Sequence, residues 1–439
     1  MYDVGISGAI ILSGHNGYQP FRGSVGITGE RFDYVGEKEI TRAECRLFID
    51  AAGKILMPGL VNGHCHGDMT LARGFGDDLT LWEQNQAFAE HNWFERFIDE
   101  EDRFYSRQLT YCEALLAGTT FIMENMYWTM GTGSVRAMAE VGIGGGLAED
   151  IRADFAKPDM FVTDQELLRF RDSCIDYGRI PVLGGISEED YENGRLGRIE
   201  RKRKDFGMLQ TCHLAENDWR RDMVLEKYQE TPIAYLHRRG LLGEHLLGSH
   251  VVYASEAEIG YLAETGTRVV NTPLCEMKIA DGIAPIPQMV KAGVTVCLGS
   301  DGAMWNNSSD IFREMKGMAL LHTLNSGIRS LTKAEILDMA TINGARAFGL
   351  EKEYGTIEPE KKADFILVQT QVPHMMPLHL GKYENITSHV IYNATGNDVT
   401  DVFISGKQMV ENRRILTVDT VNIISKVQAA SEKIVNALV

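Results

Sequence analysis

His64-Cys65-His66 sets two imidazoles two residues apart at the end of an apolar run. In a β-strand, residues i and i+2 point to the same side, so the pair projects together. Imidazoles held that way suit one metal ion, with nitrogen ligands about 2.0–2.1 Å from it. Three later apolar runs end in similar chemistry. They are Thr211-Cys212-His213-Leu214-Ala215-Glu216, Gly248-Ser249-His250 and Gly299-Ser300-Asp301-Gly302. A single histidine or aspartate at such a place is usually a hydrogen-bonded core or turn residue. Hits on four separate strand ends point instead to one shared centre. Three histidines and an aspartate there would hold Zn²⁺ or Fe²⁺ with room for a water. Glu216, three residues past His213, would lie beyond the strand end, over that water.

For these residues to meet, their strands must be parallel and converge. Strand-like runs are read at Ile55–Val61, Thr119–Glu124, Gly144–Ala148, Ile180–Gly185, Met208–Cys212, Leu247–Tyr253, Thr267–Thr272 and Val294–Gly299. Helical patterns lie between most of them, including Glu100–Leu116, Asp164–Tyr177, Asp218–Arg239 and Glu256–Glu264. Parallel neighbours need such long crossovers. Eight units over about 300 residues predict an α/β fold, a (β/α)₈ TIM-like barrel at residues 57–350, whose strand C-termini share one mouth. Residues 1–56 and 351–418 are short strand-and-turn stretches, expected to build one composite β-sandwich domain. Residues 419–439 are expected to form a C-terminal helix capped by Asp419.

Composition narrows the function. The 439 residues carry a net charge of −17, which argues against nucleic acid or an anionic membrane as partner. No apolar stretch is long enough to span a bilayer, and the N-terminus lacks the pattern of a signal peptide. Seven cysteines form no CxxC and sit mostly in apolar runs, the habit of reduced thiols in a cytoplasmic protein. The basic run Arg198–Lys204 reads as a solvated stretch. Gly142-Ile143-Gly144-Gly145-Gly146 lacks the order of a phosphate-binding loop and falls within a strand.

Pro58-Gly59-Leu60-Val61-Asn62-Gly63-His64-Cys65-His66, His213-Leu214-Ala215-Glu216, His250 and Gly299-Ser300-Asp301-Gly302 together resemble the amidohydrolase superfamily. Met69–Gly74, Asp77-Asp78-Leu79 and Asn306-Asn307 resemble its aminohydrolase branch, which holds adenosylhomocysteine and methylthioadenosine deaminases, guanine deaminase and triazine hydrolases. The resemblance implies that His64, His66, His213 and Asp301 bind one divalent metal ion, zinc before iron. His250 and Asp301 would orient the metal-activated hydroxide and help take its proton. Glu216 would protonate the ring nitrogen of an amino-heterocycle and then the departing amine. Binuclear members need a lysine at the end of strand four, where this chain has Leu183-Gly184-Gly185-Ile186-Ser187, so one ion is expected. Relatives are homo-oligomers, often dimers, and the same is expected here.

The expected activity is therefore hydrolytic deamination of a small purine, pterin, pyrimidine or triazine. A hydrolase removing another leaving group from such a ring, as a triazine chlorohydrolase does, is the alternative. A non-catalytic scaffold is a remoter one, because every metal ligand is kept. The chain has Ser187-Glu188-Glu189-Asp190-Tyr191 and Asn271–Glu276 where nucleoside deaminases carry other motifs, which weakens transfer of their substrates. Trp82, Trp93 and Trp305 are candidates to stack on a flat ring. Glu149 and Glu276 are candidates to line the mouth with negative charge, favouring a neutral or cationic heterocycle.

Overall fold

The structure, a computed structural model, describes residues 1–91, 97–125, 132–150, 161–191 and 195–438. Eight strands form one sheet in chain order: Leu60–Cys65, Thr119–Asn125, Gly144–Asp150, Ile180–Ile186, Leu209–Leu214, Leu246–His250, Arg268–Asn271 and Val296–Leu298. Crossovers include helices Glu100–Leu116, Asp164–Asp176, Asp218–Tyr228 and Glu256–Thr265. This is the expected (β/α)₈ barrel. Its edges meet where Ser300 N and Asp301 N both donate to His64 O, at 3.1 and 2.9 Å. Glycine makes that approach possible. A Cβ on Gly299 would stand 2.9 Å from His64 Cβ and 3.0 Å from its backbone N.

The chain divides into two compact units. One comprises Met1–Asn62, Cys112–Phe121 and Asp310–Val418; the other comprises Gly63–Tyr111, Ile122–Ser309 and Asp419–Val439. The first unit holds a nine-stranded mixed sheet. Its strands come from both chain ends, with Phe365–Gln369 antiparallel to Lys54–Pro58 and Tyr2–Ile11 beyond it. Hydrogen bonding makes it one sheet, yet it encloses a core as a sandwich does. Phe32, near one end of the strand order, packs on Phe365 with ring centroids 5.9 Å apart. Phe365 in turn stacks on Phe403 at 4.6 Å, and Ile6, Ile11 and Ile27 complete the cluster.

Several boundaries differ from those read in the sequence. Ile55–Val61 is not one strand: Lys54–Pro58 belongs to the mixed sheet, and the barrel strand starts at Leu60. Pro58 and Gly59 interrupt the run, and a Cβ on Gly59 would collide with Thr120 Oγ1 at 2.1 Å. The segment Asp218–Arg239 is two helices, broken where Gln229 adopts a left-handed φ of 56°. Arg198–Lys204 lies within helix Arg195–Phe206, which buries Leu196 and Ile199 and leaves Arg198, Arg201 and Lys204 exposed. Residues 310–350 cluster with the mixed-sheet unit, where Tyr18 Oη meets Thr341 Oγ1 at 2.6 Å and Asp310 accepts from Gly396 N at 2.9 Å. The terminal helix runs Thr420–Leu438, and Asp419 Oδ1 caps it by accepting from Val421 N and Asn422 N.

The closing contact makes a prediction. Gly299→Ala forces a methyl group against His64, and overpacking of this kind costs about 1–3 kcal/mol. Chemical denaturation should show that loss together with weaker metal retention on dialysis. Unchanged metal content would mean that the barrel can close without this approach.

Candidate active site

The predicted ligands arrive at one place. His64 is the last residue but one of the first strand, His66 directly follows that strand, His213 lies in the fifth, His250 ends the sixth, and Asp301 follows the eighth. His66 Nε2 is 3.3 Å from His213 Nε2 and 3.6 Å from Asp301 Oδ1, and His64 Nε2 is 3.7 Å from the same oxygen. Ligands about 2.05 Å from a tetrahedral ion lie about 3.3 Å from one another, so these spacings fit a single metal. Two overlapping sets of possible ligands occur among the described residues, His64 with His66 and Asp301, and His64 with His213 and His250.

The histidines are held so that their outer nitrogens face the centre. His66 Nδ1 is 2.7 Å from Asn125 O, to which it donates, leaving Nε2 as the lone pair. His64 Nδ1 is 2.9 Å from Ser249 Oγ and 2.6 Å from the Asn125 amide. Burial, reinforced by His66, His213 and His250, holds the His64 imidazole well below its ordinary pKa. It is therefore neutral, the form that binds metal. Asp301 is fixed by Gly302 N on Oδ1 at 2.6 Å and by the Cys275 thiol on Oδ2 at 2.9 Å.

Backbone strain gathers at the same strand ends. Ala215, His250, Val251 and Asp301 all have positive φ, between 49° and 72°. Each such residue costs about 1–3 kcal/mol, sustained only where surrounding contacts leave no choice. Here the fifth and sixth strands supply those contacts, as Val251 N donates to Leu214 O and Tyr253 N to Ala215 O.

His250 has a different set of partners. Its Nδ1 is 2.9 Å from Thr272 Oγ1, and its Nε2 is 3.6 Å from Glu216 Oε1. Burial opposes charge on this ring, but Glu216, Glu276 and Asp301 prevail and raise its pKa to about 10. A cation at the neighbouring imidazoles works in the opposite direction. Glu216 is buried, and its Oε2 is paired with Arg220 one helical turn on.

The rim residues behave differently from the reading above. Glu276 is buried and bonded within the protein. Its carboxylate accepts from Asn271 Nδ2 at 2.7 and 2.9 Å and from Thr272 N at 3.2 Å, behind His250. It positions that histidine through Thr272. Trp305 is buried, its ring edge-on to His66 at 5.3 Å, so it walls the histidine cluster. Glu149 is buried at the end of the third strand and not solvated. Trp82 is half exposed and packs against Trp219 at 5.2 Å. Trp93 lies outside the described residues.

Sequence reasoning missed the residues that hold the ligands. Asn125, Ser249, Thr272 and Cys275 carry no motif of their own. Beneath the first ligand loop, Arg107 Nε meets Glu124 Oε1 at 2.6 Å and its Nη2 meets Asp68 Oδ2 at 3.0 Å. All three side chains are fully buried, and Tyr111 also donates to Glu124. Polar Glu124-Asn125 at the end of an apolar strand was the available signal.

The model of the amidohydrolase family matches residues 197–409. A 5-methylthioadenosine/S-adenosylhomocysteine deaminase of Syntrophomonas wolfei is 31% identical over 406 residues, covering 91% of this chain and 92% of that one. A 5'-deoxyadenosine deaminase of Methanosarcina acetivorans is 32% identical, covering 94% of both. Among solved structures, an adenosine deaminase from Xanthomonas campestris with bound zinc superimposes with a TM-score of 0.88 at 25% identity, over 99% of each chain. An atrazine chlorohydrolase from Arthrobacter aurescens shares the fold, with a TM-score of 0.86 at 20% identity over 98% of this chain and 100% of that one. The chain belongs to the amidohydrolase family.

Arg107→Met leaves Asp68 and Glu124 buried without their cation. Breaking a buried pair costs about 3–5 kcal/mol. Denaturant unfolding should show that loss, and a change below about 1 kcal/mol would mean that water replaces the guanidinium.

Proposed function

We propose that this chain is a metal-dependent hydrolytic deaminase of an amino-substituted nitrogen heterocycle. The observation that carries the reading is Glu216 beside His250, next to the cluster of His64, His66, His213 and Asp301. The family and the donor set support a divalent metal ion. Our reading is one zinc ion held by those four side chains. Bound there, the ion supplies Lewis acidity and brings the pKa of water toward about 7.

The protein's own groups do the rest. His250, anchored through Thr272 to Glu276, orients the attacking water with Nε2. Asp301 helps remove its proton while Cys275 and Gly302 keep the carboxylate in place. Glu216 Oε1 passes the first proton of the attacking water to the ring nitrogen beside the amino-bearing carbon, and then passes the second, from the new hydroxyl, to the departing amine as the carbonyl forms. Water adds, the C–N bond breaks, and the products are a keto-heterocycle and ammonia. Arg220 on Oε2 leaves Oε1 as the oxygen that faces His250. A halide would leave without a proton, so the placement of Glu216 favours amine release over dechlorination.

The relatives' names put a nucleoside-like purine first among the candidate rings, ahead of pterins, pyrimidines and triazines. No helix among the described residues is long and apolar enough to cross a membrane. Seven buried free thiols support a reducing, cytoplasmic setting. A homo-oligomer, with no nucleic-acid or membrane partner, completes the reading.

Ammonia release is the test, with metal-loaded protein and a panel of adenosine derivatives, guanine, cytosine, pterins and aminotriazines. Glu216→Gln should lower kcat on the responsive compound by about 10²–10⁴-fold, the usual contribution of a general acid–base group. Chelation should abolish turnover, with one equivalent of metal found beforehand by elemental analysis. No ammonia from any ring, with metal bound, would overturn the deaminase reading. So would full activity in the Glu216→Gln variant.

A further inference from the structure

Next to Glu216, from Asn217 onward, lies a cleft of about 610 Å³, a size suited to a small organic group. Its apolar walls are Trp82, Trp219, Met223 and Ile279. Asn217 and Asp281 also line it, and they connect it to the chemistry. Asn217 directly follows Glu216, and Asp281 N donates to the backbone carbonyl of Glu276 at 3.0 Å.

Three polar atoms of this lining are buried and make no hydrogen bond among the described residues. They are Asp281 Oδ2, Asn217 Nδ2 and Trp219 Nε1. Buried polar groups are ordinarily paired, so three orphans on one cleft point to a ligand. Asp281 is 7% exposed, and among the described residues its carboxylate forms no ion pair with a cationic side chain. Asp218 adds a second acid to the lining, whereas Arg220 is engaged by Glu216 and Lys278 by Asp77. Burial, Glu216 and Glu276 push the Asp281 carboxyl up to about 8, against the pull of His250 and Arg220. A further negative charge would be equally unwelcome there.

We infer that this cleft is the subsite for the substituent carried by the heterocycle, and that it selects by charge. The substituent stacks on Trp82 and Trp219, gives a hydrogen bond to Asp281 Oδ2 and accepts from Asn217 Nδ2 or Trp219 Nε1. An ammonium or an uncharged group is taken, and a carboxylate is rejected. Asp281 and Trp219 are specificity-determining residues on this account, which rests on the deaminase reading for the ring itself.

Three adenosines differing only at the 5' position test it: 5'-amino (cationic), 5'-methylthio (uncharged) and 5'-carboxylate (anionic). Ammonia release is followed at about pH 7.5, where the 5'-amino group is protonated and the 5'-carboxylate ionised. Binding is followed in parallel by quenching of tryptophan fluorescence. The wild type should prefer the cationic and uncharged compounds over the anion by at least about tenfold in kcat/KM, as expected for a unit charge in a partly screened site. Asp281→Asn should bring all three within about threefold, acting on KM more than on kcat. Trp219→Phe should weaken binding of all three while keeping their order.

Equal use of the anion by the wild type would overturn the inference, as would an unchanged ratio in Asp281→Asn. Absence of ammonia with binding still in the charge order would remove adenosines from the deaminase reading and leave the subsite standing. Absence of fluorescence-detected binding by all three would overturn the subsite.

Discussion

The site depends on one contact, the seating of the eighth strand's end on His64. Two successive amides, Ser300 N and Asp301 N, share the His64 carbonyl, and Gly299 lets the two backbones come that close. The same contact closes the sheet and carries the Asp301 carboxylate to the first two histidines. Barrel closure and ligand assembly are therefore one event. The left-handed backbone at Asp301 is tolerated because the closed barrel leaves the residue no relaxed alternative.

Charge is the second constraint. Four imidazoles and the carboxylates of Glu216, Glu276 and Asp301 occupy a volume largely closed to water. In such surroundings an unpaired charge is costly, and groups either lose their protons or find partners. His64 does the first, remaining neutral through burial and the repulsion of its neighbours. His250 does the second, drawing on three carboxylates. A divalent cation resolves what is left, since neutral imidazoles and an ionised aspartate are its natural ligands. The arrangement makes electrostatic sense as the cradle of a cation.

Much of this could be read in the sequence, for a physical reason. Parallel barrel strands leave periodic apolar runs, and their shared mouth turns distant strand-end residues into neighbours. His64, His66, His213, His250 and Asp301 were legible on those terms. Boundaries were less so. Ile55–Val61 is uniformly apolar, and nothing in its pattern separates a strand of one sheet from a strand of the next except Pro58-Gly59. Asp218–Arg239 reads as one helix because Gln229 gives no sign that it will adopt a left-handed turn. Glu276 read as a mouth residue because the short helix Pro273–Lys278 offers too little periodicity to reveal its direction. Only the fold shows it accepting from Asn271 and Thr272.

The same distinction separates chemistry from substrate choice. Strand-end side chains have their direction set by the backbone, since the pleat alternates faces and the sheet fixes register. They specify what reaction the centre can perform. Asn217, Trp219 and Asp281 sit beyond the strands, on helix starts and in loops, where direction is decided by tertiary contacts. Tyr253 Oη, for example, holds the Asp281 carbonyl at 2.9 Å, and no local pattern encodes that bond. A chain can therefore share its fold with proteins that act on different rings. The reaction is written at the strand ends, whereas selectivity resides in residues whose placement depends on the whole fold.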